Sequence, residues 1–298
     1  MREVPRVRSK LFVPGNRREW MEKAGRYHAD ALVLDLEDSV PASEKDKARQ
    51  ITAQFISEHG AGTVLFVRIN ELTSLAAFDD LRAVVGPGLT GVIVPKVEGP
   101  EDIRLTCRIL SWLEVGSGLR DGHTLISPVL ETAAGIRCAY QIGAASSRIA
   151  YMGGIGVKGG DEERSLGYRW SPEGMETFVL RSQVLVDVRA AKIPNPMTGL
   201  WTAIEDLEGL RRFAEQGRNI GYEGMTAIHP SHVSVINEVF SLSGDDVEYF
   251  RGLLLAMEAA EAEGKSATIF RGAMVDTAMA KTARFQLQLA SVEKLEVQ

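Results

Sequence analysis

A chain of 298 residues, 45% hydrophobic and 25% charged, has the composition of an ordinary globular protein, and its length suits either two domains or one α/β barrel of about 250 residues. A net charge of −6, with no basic block interleaved with aromatic residues, argues against nucleic acid as a partner, and the two cysteines, Cys107 and Cys138, indicate neither a disulfide scaffold nor a thiolate zinc site. The N-terminal MREVPRVRSK lacks the apolar core of a signal peptide and no apolar run approaches the roughly 20 residues of a membrane span, so the expected setting is the reducing cytoplasm, away from membranes.

Eight short apolar runs recur along the chain: Lys10–Val13, Ala31–Leu36, Val64–Ile69, Val92–Pro95, Thr124–Leu130, Arg148–Ile155, Ala191–Pro194 and Met225–Ile228. Most are continuous rather than alternating, the pattern of strands buried on both faces. Helical patterns separate them. Arg18–His28 and Ser43–Glu58 are amphipathic, and Pro100 opens PEDIRLTCRILSWL in the favoured first-turn position with Glu101 and Asp102 beside it. Ser171 is expected to cap a helix beginning at Pro172, and Ile204–Gln216 and Pro230–Phe240 follow the same logic. Alternating strand and helix implies a parallel sheet with right-handed crossovers, and eight such units imply a closed (β/α)8 TIM barrel over residues 1–240.

After Phe240 the pattern changes. Asp245–Glu263 reads as a long amphipathic helix with Gly264 as its stop, followed by a strand-like KSATIFRGAMVD and a final helix from about Thr277. Residues 241–298 are therefore expected to form a C-terminal helical extension, either a cover for the barrel or an arm that reaches a neighbouring subunit.

The ends of the runs carry polar groups: Pro14, Gly15 and Asn16; Asp35, Glu37 and Asp38; Arg68 and Asn70; Lys96 and Glu98; Glu131; Asp161; Asn195; His229. In a parallel barrel these would ring the face where catalysis takes place. Runs five and six are each followed by a carboxylate, Glu131 and Asp161, separated by one helix length. Two carboxylates at the mouth of a sheet suit a hard cation such as Mg²⁺, with water and substrate completing its shell. The simpler reading is that Glu131 starts a helix, where a carboxylate is favoured anyway. GGIGVKGG lacks the GKS/T ending of a phosphate loop and reads as close backbone packing.

RSKLFVPGN, ALVLDLEDSVPASEKDKAR, VRIN, VIVPKVE, SPVLETAAGI, LRSQVLVDVRAAKIP and GYEGMTAIHPSHVSVINEVF, in that order from Arg8 to the C-terminal MVD, resemble the citrate lyase β-subunit/HpcH–HpaI aldolase superfamily, and within it the malyl-CoA lyase-type branch. The resemblance implies a (β/α)8 barrel, often trimeric or hexameric, that makes or breaks a carbon–carbon bond next to an acyl thioester with Mg²⁺. It implies that Glu131 of LETAAG and Asp161, six residues before Gly167, hold the metal. It implies that Arg68 of VRIN grips a substrate carboxylate or carbonyl oxygen, and that Asp276 of GAMVD enters the active site of an adjacent subunit. The chain departs from the family pattern at Lys158, where glycine is preferred, and at Glu162 and Glu163, where apolar residues are preferred.

The chemistry asks for the same residue types. Cleaving a β-hydroxyacyl thioester needs a base for the hydroxyl proton, a role for Asp276, and cationic groups to hold the developing enolate and carbonyl. A guanidinium fork such as that of Arg68 fixes a carboxylate bidentately. The competing structural readings make Arg68 an ion-pair partner of Glu37 or Asp38, and Asp276 an N-cap before Thr277. Asp35, Glu37 and Asp38 would hold Arg68 or hydrogen-bond metal-bound water. Lys96 as a Schiff-base lysine is redundant beside a metal, and His229 reads as a turn residue. The expected function is a Mg²⁺-dependent homo-oligomeric lyase, a trimer or hexamer, acting on a citryl-, citramalyl- or malyl-CoA-like thioester to give an acyl-CoA and an oxo acid. The alternatives are a pyruvate-type class II aldolase acting on a free hydroxy-oxo acid, and a non-catalytic citrate-lyase-like subunit.

Overall fold

The structure is a computed structural model that describes residues 4–295, with side chains through residue 288. The chain divides into two compact units, Met1–Phe240 and Ser241–Gln298.

The first unit is a parallel (β/α)8 barrel. Its strands are β1 Ser9–Pro14, β2 Ala31–Asp35, β3 Leu65–Arg68, β4 Gly91–Val94, β5 Leu125–Pro128, β6 Tyr151–Gly153, β7 Asn195–Leu200 and β8 Gly224–Ala227. Its helices are α1 Arg18–Ala24, α2 Lys45–His59, α3 Leu75–Val84, α4 Pro100–Gly116, the short pair α5 Ala133–Arg137 and α6 Ala139–Gly143, α7 Gly160–Leu166, α8 Met175–Ala190, α9 Leu207–Ile220 and α10 Pro230–Phe240. Sheet order runs β5-β4-β3-β2-β1-β8-β7-β6. The remaining seam is stitched by parallel bridges, Ile126 to Ile149 and Val129 to Gly153, and by the Ile126 amide donating to the Arg148 carbonyl at 2.8 Å. That closes the barrel.

Strand alternation sorts the apolar residues into two layers. Val33, Phe66, Ile93, Leu125, Tyr151 and Met197 fill the barrel interior, while Leu11, Val13, Leu32, Leu34, Val67 and Val92 pack outward under the helices. Burial on both faces is why the strands read as continuous apolar runs. Helix starts use local caps: Thr132 Oγ1 accepts from Gly135 N at 3.0 Å, and Asp206 Oδ1 accepts from Gly209 N at 2.8 Å.

Two sequence expectations need correction. The seventh strand is Asn195–Leu200 rather than Ala191–Pro194. Pro194 and Pro196 read as strand breakers, yet β7 accommodates Pro196. Asn195 therefore opens its strand, at the end of the barrel opposite the site. The helix expected from Pro172 begins at Met175, and Ser171 instead donates its amide and hydroxyl to Glu176, at 2.7 and 2.6 Å.

The second unit contains α11 Gly244–Ala262, a hairpin of β9 Ala267–Phe270 and β10 Ala273–Asp276, and α12 Thr277–Leu295. Ser243 and Asp246 form a reciprocal capping box at the start of α11 (3.0 and 3.2 Å). Leu253, Met257, Val275, Ala280 and Ala283 form this unit's own small core. Both cysteines are free. No described helix is long and apolar enough to cross a membrane.

Candidate active site

Parallel register brings the ends of β2 and β3 together, with Asp35 paired to Arg68. The Arg68 guanidinium donates from Nε to Asp35 Oδ1 at 2.6 Å and from Nη2 to Oδ2 at 2.8 Å. Its Nη1 lies 2.9 Å from Glu37 Oε2, an ion-pair approach without hydrogen-bond geometry, since both Glu37 carboxylate oxygens lack a hydrogen-bond partner. Asp35 is buried and also accepts from the amides of Glu37 (3.0 Å) and Ser39 (3.1 Å). Burial pushes the Asp35 carboxyl up, but the Arg68 hydrogen bonds and charge overcome it and leave it below its ordinary value. Burial likewise works against charge on Arg68, yet Asp35 and then Glu37 hold its pKa above the ordinary value. The structural ion-pair reading of Arg68 is thus realised. Asp35 takes the Nε–Nη2 edge of the guanidinium, and Glu37 and then Asp38 stand against Nη1.

Lys96 follows β4 in the left-handed region, with φ of 49°. That conformation costs a non-glycine residue on the order of 1 kcal/mol. It turns the Lys96 amide toward Glu131, which accepts at 2.9 Å through Oε1, and carries the ammonium among three carboxylates: Glu71, Glu37 at 3.4 Å and Asp161 at 3.2 Å. Sequence reasoning weighed Lys96 only as a Schiff-base residue. Its actual position depends on a backbone angle that no residue pattern announces.

Glu131 follows β5, and Asp161 lies in the first turn of α7, paired with Arg164. Arg68, Glu131 and Asp161 line one cavity of about 590 Å³, together with Lys10, Lys96 and Glu162. The loop that brings Asp161 there, Gly153 to Gly160, has positive φ at Gly153, Gly154, Gly156, Gly159 and Gly160. A Cβ on Gly153 would meet the Met197 carbonyl oxygen at 2.0 Å and one on Gly156 the Arg181 and Phe213 side chains at 3.1 Å, whereas Gly154, Gly159 and Gly160 have open space and serve the positive φ of the loop.

The acidic side of the cavity holds more carboxylates than it can comfortably ionise. Burial pushes Glu37 up to about 7, with Arg68 opposing and Asp38 and Glu131 adding to the rise. Burial also raises Glu131, against the Lys96 amide and the Arg68 and Lys96 charges. Glu162 is pushed up to about 8, chiefly by burial, while both of its oxygens accept from Gly156 N at 3.1 and 3.0 Å. Among the described residues no group of three or more His, Cys, Asp or Glu side chains is placed to hold a metal. Two oxygen ligands in a carboxylate-rich cavity nevertheless fit a hard cation that takes its remaining ligands from substrate and water.

Asp276, the fourth residue singled out, belongs to the second unit. It closes β10, and its Oδ1 accepts from Met279 N at 3.0 Å, the contact of an N-cap for α12. His229 serves its own turn, with Nδ1 2.7 Å from Ser231 Oγ. Asn70 is committed to Asp80 and to the Leu36 carbonyl.

A family model described as HpcH/HpaI aldolase/citrate lyase matches residues 8–230. A citrate lyase subunit beta-like protein of Deinococcus radiodurans is 36% identical over 93% of this chain and 95% of its own. A (3S)-malyl-CoA thioesterase of Cereibacter sphaeroides is 30% identical over 95% of this chain and 94% of its own. Among solved structures, the CitE protein of Mycobacterium tuberculosis in complex with magnesium, acetoacetate and coenzyme A superposes with a TM-score of 0.74 at 24% identity, over 97% of this chain and 100% of that one. The same protein with magnesium and pyruvate gives 0.63 at 25% identity, over 80% and 92%.

Proposed function

The chain belongs to the HpcH/HpaI aldolase/citrate lyase family, and from that premise we propose that it is a Mg²⁺-dependent carbon–carbon lyase acting on a β-hydroxyacyl-CoA thioester of the citryl, citramalyl or malyl kind. The observation that carries the proposal is the convergence of Arg68, Lys96, Glu131 and Asp161 on one cavity at the carboxyl ends of the strands. Glu131 and Asp161 are the groups that would hold Mg²⁺. When bound, the cation supplies Lewis acidity to the hydroxyl and carboxylate oxygens of the substrate. The magnesium reported with the CitE protein, and the acyl-CoA named for the thioesterase relative, support this choice.

Arg68 is the residue assigned to the substrate carboxylate or the emerging carbonyl, which would take the place of Glu37 at Nη1 while Asp35 keeps the Nε–Nη2 edge. The β-hydroxyl gives its proton to the base, the Cα–Cβ bond breaks, and the carbinol carbon becomes the carbonyl of the oxo acid. The electron pair passes to the thioester as its enolate, which takes a proton at carbon to leave the acyl-CoA. Asp276 is assigned as the base, reaching the cavity of a neighbouring subunit in a homotrimer or hexamer. Lys96, with its ammonium beside Asp161, offsets negative charge that builds up on that side of the cavity.

Hydrolysis of the thioester is a second reading, favoured by the relative named a malyl-CoA thioesterase. The test is a panel of malyl-, citramalyl- and citryl-CoA and the free hydroxy acids, each with Mg²⁺ and with EDTA. The lyase reading expects thioesters alone to turn over, with Mg²⁺ alone. Turnover that persists in EDTA, or that occurs only with free acids, rules it out.

A further inference from the structure

The barrel interior carries a cation that the reaction above does not use. Lys10 and Phe12 alternate with Leu11 and Val13 along β1, and Leu11 and Val13 pack outward. Lys10 therefore points inward, as alternation requires. It is 2% exposed and lines the same cavity as Arg68 and Glu131. Nζ donates to Ser127 Oγ at 3.1 Å and lies 4.7 and 4.1 Å from the ring centres of Phe66 and Tyr151. An ammonium has three donors, and this one forms no ion pair among the described residues.

The elements around Lys10 offer no countercharge. Its β2 neighbour is Ala31, its β8 neighbour Thr226, and Phe66, Ser127 and Tyr151 come from β3, β5 and β6, with the Tyr151 hydroxyl committed to the Pro5 carbonyl at 2.6 Å. The charged groups lining the same cavity are engaged elsewhere. Arg68 and Asp38 face each other; Lys96 and Arg164 hold Asp161; Glu131 accepts from the Lys96 amide and Glu162 from Gly156. Burial lowers the Lys10 pKa to about 7. A buried amine that donates to one neutral hydroxyl and faces two aromatic rings has donors to offer an anionic group of a ligand in this cavity.

We propose that Lys10 is a specificity-determining residue that receives a carboxylate of the substrate's oxo-acid half, in addition to the carboxylate held at the rim by Arg68. The preferred substrate is then a thioester whose cleavage releases a dicarboxylic oxo acid, rather than a monocarboxylic one such as glyoxylate or pyruvate. This deepens the lyase reading and rests on it for the thioester half. A carboxylate beside Nζ restores the charged form, so binding takes up a proton at pH values above the resting pKa.

The test is calorimetric titration of the full-length wild-type protein and of Lys10→Met with oxaloacetate and pyruvate. Both are oxo-acid halves of the proposed substrates, and they differ by one carboxylate on that half. Measurements are made with Mg²⁺ at about pH 8, in buffers of different ionisation enthalpy. Wild type should bind oxaloacetate at least roughly tenfold more tightly than pyruvate, as expected of a hydrogen bond to a charged group, with net proton uptake for oxaloacetate. Lys10→Met should lose the preference and reduce the uptake while keeping its pyruvate affinity. Methionine suits this apolar interior, and a melting temperature at or above wild type shows that the fold is intact. Should that variant fail to fold, Lys10→Gln is read in the same way. Oxaloacetate binding without proton uptake, no oxaloacetate preference in wild type, or an undiminished preference in the folded variant overturns the assignment. Thioester turnover is read separately: turnover without any Lys10 effect removes only this assignment, whereas a Lys10-dependent oxaloacetate preference without turnover removes only the lyase reading.

Discussion

Replacing Arg68 by methionine removes the guanidinium from Asp35, whose side chain is 2% exposed. Taking one partner from a buried ion pair costs about 3–5 kcal/mol, because the other charge is left uncompensated. Asp35 would keep the amides of Glu37 and Ser39 and the Ser39 hydroxyl, so the expectation sits at the lower end, about 3 kcal/mol. In a unit of this size that lowers the melting temperature by roughly 6–12 °C. The assay is urea unfolding followed by circular dichroism, run as a double-mutant cycle with Asp35→Asn. The coupling energy between the two sites should exceed about 1 kcal/mol. A single-variant loss below about 1 kcal/mol, with no coupling, would refute the reasoning that Arg68 owes its orientation to a buried pair with Asp35.

Glu131→Gln keeps the side-chain size while removing a charged ligand. Mg²⁺ affinity, read by titration calorimetry, should fall at least roughly tenfold with folding intact, and unchanged affinity removes Glu131 from the metal site. Glu37 is protonated more readily in the folded chain (about 7) than at its ordinary 4.5. The folded state therefore binds the extra proton, and wild-type stability falls as pH rises from about 4.5 through 7. In Glu37→Gln that fall should shrink by roughly 2–4 kcal/mol in urea unfolding between about pH 4.5 and pH 8, and parallel curves for the two proteins would contradict it. Mixing inactive Asp276→Ala and Glu131→Gln subunits, after exchange, should restore part of the thioester turnover if each site is completed by a neighbour. An active Asp276→Ala variant would show that Asp276 is not the base.

Much of this arrangement was legible because strand ends obey period and direction. Asp35, Arg68 and Glu131 each follow an apolar run, and in a parallel barrel all such ends share one face. The final helix start at Thr277 and the stop at Gly264 were legible from capping chemistry alone. What escaped the sequence depends on three-dimensional placement. Asp35, Glu37 and Asp38 were legible together as groups to hold Arg68, but which of them takes the fork was not, nor that Lys96 would adopt a left-handed backbone and set its ammonium beside Asp161. The expected run Ala191–Pro194 stops where β7 begins, and the strand continues through Pro196, a residue whose type argues against a strand interior. Lys10 was visible as a charge inside an apolar run, but only the packed interior shows that it lacks a carboxylate partner.

The proposed activity turns on which bond breaks. Wild-type protein is incubated with Mg²⁺ and citryl-CoA, citramalyl-CoA or malyl-CoA, and the products are resolved by mass spectrometry. The account predicts carbon–carbon cleavage, with acetyl-CoA and the matching oxo acid (oxaloacetate, pyruvate or glyoxylate) appearing in equal amounts. Free coenzyme A with the intact hydroxy acid, and no oxo acid, would contradict it and leave thioester hydrolysis as the reaction.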